Sequence, residues 1–178
     1  MYYADLSPYA YPVTEDGDVF TEVSTGVRFV TVRNAYRRLS IGWLEVGRPW
    51  TAEPAPAEFR SKLLVVLEEQ AVNQTLGLHG CDLCPEPLDG ARPWHEPRPG
   101  HRCASAGTGE IRVPGTPGTA YAAPSLIGHY VVDHGYLPPR EFVDAVLAFD
   151  LRDRSTAYPW IAFPWIPEDA EPYDASDG

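Results

Sequence analysis

Four side chains of the metal-ligating kind stand in two close pairs, Cys81-x2-Cys84 and His129-x4-His134, with His129 45 positions after Cys84. Both spacings are those of tetrahedral zinc sites. A two-residue gap lets one tight turn aim both sulfurs at a single point, and the wider gap between the histidines suits a helix or its last turn. Along a regular helix, residues five apart diverge by about 140° around the axis, so the two rings converge on one ion only where that turn loosens. Gly135, directly after His134, is the residue type that ends a helix in this way. The expectation is a Cys2His2 site for Zn2+ built from Cys81, Cys84, His129 and His134. Four protein ligands leave no position for water, which is the arrangement of a structural ion rather than a catalytic one.

Other uses of these residues stay open. His79 lies two residues before Cys81, and His101 and Cys103 follow the cysteine pair, so a His79, Cys81, Cys84 and Cys103 set is chemically acceptable. Thioredoxin-like redox use would need the cysteine pair to open a helix after a strand, whereas Cys84 runs into Pro85-Glu86-Pro87, which continues a helix poorly. The blandest reading is an incidental thiol pair with two ordinary surface or capping histidines. Glu110, Asp133 and Glu141 could serve as general bases, but each has a plainer role: a solvated strand residue, a surface charge at a helix end, and a first-turn carboxylate favoured by the helix dipole. No Gly-rich phosphate loop, nucleophile elbow or HExxH motif is present.

The elements that must position these residues read as α+β with much coil. Val27 to Val32 and Leu39 to Val46 are β-branched or alternating and read as strands, with Asn34 and its neighbours in a turn between them. A helix is expected from Ala57 to Val72, entered through Pro54-Ala55-Pro56, with Phe59, Leu63, Leu64, Leu67 and Ala71 inward. Residues 85–109 hold five prolines and four glycines and read as a mobile loop. Glu110 to Val113 and Thr119 to Ala123 then suggest a hairpin, followed by a helix opened by Pro124-Ser125 with Leu126, Ile127, Tyr130 and Val131 on its apolar stripe. A second helix opens at Pro138-Pro139 and runs to about Phe149, with Phe142, Val143, Val146 and Leu147 inward. Cysteine turn, hairpin and histidine-bearing helix together resemble an enlarged ββα zinc finger with a loop inserted. The aromatic stretch from Tyr158 to Pro167 should pack in extended form, and residues 168–178 should fray. A single domain over 1–178 is expected, with 79–149 as its zinc-stabilised part and 85–109 as a flexible insertion.

Charge narrows the function. The 178 residues carry a formal net charge of −11, and Lys62 is the one lysine among the 14 basic residues. Such a chain lacks the broad basic surface that neutralises phosphates, so nucleic acid is not an expected partner; a basic protein is. The opening MYYADLSPYAY has no basic segment leading into an apolar run, and no stretch reaches the apolar length of a membrane span. Three cysteines, two in a C-x-x-C, suit metal binding in a reducing compartment, and a cytoplasmic protein is expected.

The segments YADLSPYAY, IGWLEVG, HGCDLC, GEIRVPG and YAAPSLIGHYVVDHGYLPPREFVDAV resemble a family of uncharacterised proteins and domains common in actinobacteria. The resemblance spans nearly the whole chain and implies that Cys81, Cys84, His129 and His134 match the family's metal-type positions, while His101 and Cys103 fall outside its pattern. It implies no catalytic residue and no substrate. The reading is therefore a zinc-stabilised, acidic binding or regulatory protein, with an immunity-like partner of a basic protein as one form, and a small zinc-supported enzyme of a specialised pathway as the alternative.

Overall fold

The structure is a computed structural model that describes residues 1–9, 19–24, 28–33, 37–69, 71–73, 79–84, 92–93, 105–152 and 171–172. Its architecture is α+β. In chain order the strands are β1 (Val19–Ser24), β2 (Arg28–Arg33), β3 (Arg37–Ser40), β4 (Ala71–Val72), β5 (His79–Gly80), β6 (Arg92–Pro93), β7 (Ser105–Gly107), β8 (Glu110–Pro114), β9 (Thr119–Pro124) and β10 (Glu171–Pro172); the helices are α1 (Ala57–Glu69), α2 (Ile127–Asp133) and α3 (Arg140–Ala148). Seven strands form one sheet in the order β10-β2-β1-β4-β8-β9-β3, and β5-β7-β6 form a second. In the larger sheet every pairing is antiparallel except β3 with β9, which run parallel.

Strand alternation sorts the β8–β9 hairpin into two chemistries. Ile111, Val113, Tyr121 and Ala123 join Phe59, Leu63 and Val66 of α1, Ile127 of α2, and Phe142 and Val146 of α3 in one apolar core. Phe142 meets Tyr121 and Phe59 edge-on, at 5.7 and 6.2 Å between ring centroids. On the other side Glu110 and Arg112 are also buried. Arg112 Nη2 lies 2.7 Å from Glu110 Oε2, a contact carried by charge rather than by an aligned hydrogen bond, and the Tyr9 hydroxyl donates to Glu110 Oε1 at 2.7 Å. The guanidinium groups of Arg38 and Arg112 each stand 5.3 Å from the Tyr9 ring centre, and Tyr9 stacks on Trp43. The N-terminal segment thus covers the second face of the sheet. Glu110 is accordingly no solvated strand residue, and removing Arg112 would take from the buried Glu110 carboxylate the cation beside it.

Several boundaries differ from the sequence reading. Helix α1 stops at Glu69, and Ala71 and Val72 form β4, which bridges Ser24 of β1 to Glu110 and Ile111 of β8. Burial on α1 falls on Phe59, Leu63 and Val66, while Leu64 points outward, because a 3.6-residue period puts 59, 63 and 66 on one line. The strand read from Leu39 to Val46 ends at Ser40. Strand β3 pairs with β9 and β2 pairs with β1 and β10, so the two do not pair with each other, and Asn34 lies outside the described residues. Ile41 is then fully buried, and Gly42 turns the chain at φ +69°, where a Cβ would come within 3.1 Å of Ile127. Helix α2 begins at Ile127, two residues after Ser125, whose backbone N–H is held by the Gly109 carbonyl at 2.8 Å. Leu147 of α3 is exposed. Within the segment read as a loop, Arg92–Pro93 and Ser105–Gly107 are paired strands, and Glu171–Pro172 of the terminal segment pairs with β2; residues 85–91, 94–104, 168–170 and 173–178, and the stretch from Tyr158 to Pro167, lie outside the described residues.

Candidate metal centre

The cysteines sit in a turn. After β5 leaves the small sheet, the Cys84 N–H bonds back to the Cys81 carbonyl at 3.1 Å, closing a four-residue turn that gathers both sulfurs. Cys81 is buried, Cys84 is half-buried, and no disulfide joins them.

The histidines come from α2 and its end. His129 lies inside the helix and is fully buried among Ile127, Tyr130 and Val131. His134 is the first residue past the last helical one, with φ −104° and ψ −1°, away from helical ψ. Gly135 follows at φ +65°, a left-handed conformation that favours glycine, and lets the Tyr136 N–H turn back to the Tyr130 carbonyl at 2.9 Å. The loosened turn brings the rings together with a centroid separation of 4.7 Å and an interplanar angle of 87°. Behind this turn the Tyr136 hydroxyl donates to the Asp5 carboxylate at 2.8 Å, and Asp5 also accepts the Gly42 N–H at 2.8 Å, so three distant parts of the chain fix its path.

One ligand atom from each of Cys81, Cys84, His129 and His134 lies within 4.8 Å of every other. The Nε2 atoms are 3.1 Å apart; Cys84 Sγ is 3.2 Å from His129 Nε2 and 3.5 Å from His134 Nε2, and Cys81 Sγ is 3.4 Å from His134 Nε2. A tetrahedral zinc ion has metal–sulfur bonds of about 2.3 Å and metal–nitrogen bonds of about 2.0–2.1 Å, which give ligand–ligand edges of roughly 3.3 Å between nitrogens and 3.6 Å between nitrogen and sulfur. These four separations fit those edges to within about 0.4 Å, and two sulfurs with two imidazole nitrogens are a donor set that such an ion takes.

The surroundings prepare the histidines for a metal. His129 Nδ1 lies 2.7 Å from Asp133 Oδ2, an i, i+4 pair along α2. A proton on Nδ1 donated to that carboxylate leaves the Nε2 lone pair for the cluster. Burial, and then the neighbouring His129, hold the His134 pKa below the usual imidazole value, which favours the neutral form that metals bind. The Tyr130 phenol, packed beside both rings, is pushed up by burial and by negative charge at Cys81, Asp82 and Cys84.

Asp133 is thus no mere surface charge at a helix end. Its signal in the sequence is the His129-x3-Asp133 spacing, which faces the two side chains along one side of a helix. His79 lies apart from the cluster, exposed on β5, while His101 and Cys103 lie outside the described residues. Glu141 is exposed in the first turn of α3, away from the cluster. No helix among the described residues is long and apolar enough to cross a membrane.

A family model described as a domain of unknown function, DUF7919, matches residues 1–147. The chain belongs to this family. The matched region of DUF7919 contains all four clustered residues, Asp133, and the Asp5–Tyr136 pin behind them. Comparison with curated proteins and with solved structures gave no match.

Proposed function

We propose that this chain is an acidic, cytoplasmic binding or regulatory protein, a single domain over 1–178 whose segment 79–149 is held by one structural Zn2+ on Cys81, Cys84, His129 and His134. The observation that supports it most strongly is the set of four ligand atoms, all within 4.8 Å of one another, which is the number of protein ligands a closed structural zinc site uses. Zinc has no redox chemistry and accepts this geometry without strain, and two thiolates with two imidazoles suit it better than magnesium or calcium. The net charge of −11 favours a basic protein as the partner, and an immunity-like role, in which an acidic domain covers a basic one, is one form of this reading.

A zinc-supported enzyme is the second reading. It is favoured by a cavity of about 180 Å3 beside the metal centre, lined by His79, Asp82, Glu110, Ser125 and Tyr130 among others. Native mass spectrometry of protein isolated from its own cells without chelator separates the two. One zinc per chain with a stoichiometric protein partner is the expected result. A chain free of zinc would overturn the metal assignment, and a zinc-bearing chain with a retained small molecule and no protein partner would favour the enzyme.

A further inference from the structure

Away from the metal centre, a groove of about 610 Å3 runs between α3 and the turn of the β8–β9 hairpin. Its lining is formed by Tyr121 and Phe149 with the small side chains Ala145 and Ala148, and by Pro114 and Gly115 from the hairpin. Three carboxylates, Glu141, Asp144 and Asp150, line it as well, and among the described residues no lysine, arginine or histidine does. The negative field reaches the groove's aromatic wall: the Tyr121 phenol is pushed up by burial and then by the charge of Glu141.

Among the described residues, two arginines approach these carboxylates without lining the groove. Arg140 approaches Asp144 at 3.4 Å and Arg152 approaches Asp150 at 3.5 Å, and the arginine side chains are 90% and 94% exposed. Exposed pairs of this kind hold weakly and exchange readily for a better-placed cation. A phosphate backbone or an anionic lipid surface would be repelled by three carboxylates. Apolar walls in turn favour a long side chain with an aliphatic stem over a small hydrated ion. Guanidinium suits the combination better than ammonium, because it is planar, stacks on aromatic rings and can bond two carboxylate oxygens at once.

We propose that this groove seats an arginine flanked by apolar side chains on a basic partner protein, with the guanidinium between Glu141 and Asp144 and the stem against Tyr121, Ala145 and Phe149. The inference rests on the binding-protein reading and adds the place and the side chain by which the partner is held.

The zinc-loaded full chain, labelled with 15N, can be titrated with an acetylated and amidated Leu-Arg-Leu-Arg-Leu peptide and followed by amide shifts. Shifts concentrated at Gly115, Thr116, Tyr121 and residues 141–150 are expected. The uncharged Leu-Gln-Leu-Gln-Leu peptide should produce none. The pair Glu141→Gln and Asp144→Asn should weaken binding about tenfold or more, while Glu68→Gln with Glu69→Gln, an equal loss of charge on exposed α1 positions, should change it less than about twofold. Ala148→Trp, at an exposed position, fills the groove without altering charge and should abolish the same shifts. Equal binding of the glutamine peptide, shifts spread over the whole acidic surface, equal weakening by the two charge variants, or no shifts at millimolar peptide would each overturn the proposal. Elemental analysis on the same samples keeps the failures distinct: a folded, zinc-bearing chain without local binding refutes the groove, and a zinc-free chain refutes the reading beneath it.

Discussion

Removing the Asp133 carboxylate separates a metal-supporting role from a surface one, because the two predict opposite signs. Asp133 is the last helical residue of α2, where a negative charge opposes the helix dipole at a cost of about 0.3–1 kcal/mol. If it did nothing else, Asp133→Ala would leave metal affinity unchanged or slightly improve the fold. Its Oδ2, however, lies 2.7 Å from Nδ1 of His129, whose ring is fully buried. Partners of ligating histidines typically change metal affinity by about 10–100-fold. The Asp133 side chain is 35% exposed, so water screens it, and the lower end applies: about tenfold, or about 1.4 kcal/mol. Asp133→Asn keeps an oxygen that can accept the Nδ1 proton and should fall between wild type and alanine. Competition against a chromophoric zinc chelator at neutral pH measures the ratio. Equal affinities for all three proteins would refute the argument. So would a loss in Asp133→Ala as large as that in His129→Ala, which would make the carboxylate a ligand in its own right.

Two further outcomes follow from the same geometry. Cys81→Ser and His134→Ala should each lower zinc content and melting temperature, whereas Cys103→Ser and His79→Ala should do neither, as elemental analysis and thermal melts would show; loss of zinc in the last two would restore the alternative ligand set. Arg112→Met should destabilise the protein by about 3–5 kcal/mol in urea titrations by leaving Glu110 buried without its cation, and Arg112→Met with Glu110→Gln should recover more than half of that loss. A double variant no better than the single one would mean that the pair is not the source of the loss.

What the sequence disclosed and what it hid divide along the range of the interactions. The cysteine turn and the divergence of residues five apart on a helix are local facts, so the convergence of Cys81, Cys84, His129 and His134 and the need for a loosened turn at Gly135 could be read directly. The ββα order followed from runs of similar length. The Asp133 contact was equally local, and its histidine-to-aspartate spacing of four was visible, but a carboxylate at a helix end has a plainer use. Glu110-Ile111-Arg112-Val113 alternates like a strand with one wet face, and nothing nearby says that residues 1–9 and Trp43 cover that face and bury the two charges. Ala71 and Val72 continue the period of α1, yet strands β1 and β8 claim them. Pairing between segments tens of residues apart decides such cases, and one-dimensional periodicity carries no record of it.

On the reading proposed above, zinc holds the fold rather than performing a reaction. Apparent binding free energies of structural zinc in small finger peptides are about 10–16 kcal/mol, as large as the whole stability of an ordinary domain at about 5–15 kcal/mol. Here the ion would tie the cysteine turn after β5 to the end of α2, two places otherwise joined through the small sheet and the core. The direct measurement is circular dichroism with thermal melting of zinc-bearing protein before chelation, after it, and after zinc is returned under reducing conditions. Chelation should cause a cooperative loss of signal and a lower melting temperature, involving at least residues 79–149, with both restored by zinc. An apo-protein with the same spectrum and melting curve as the zinc-bearing one would contradict it.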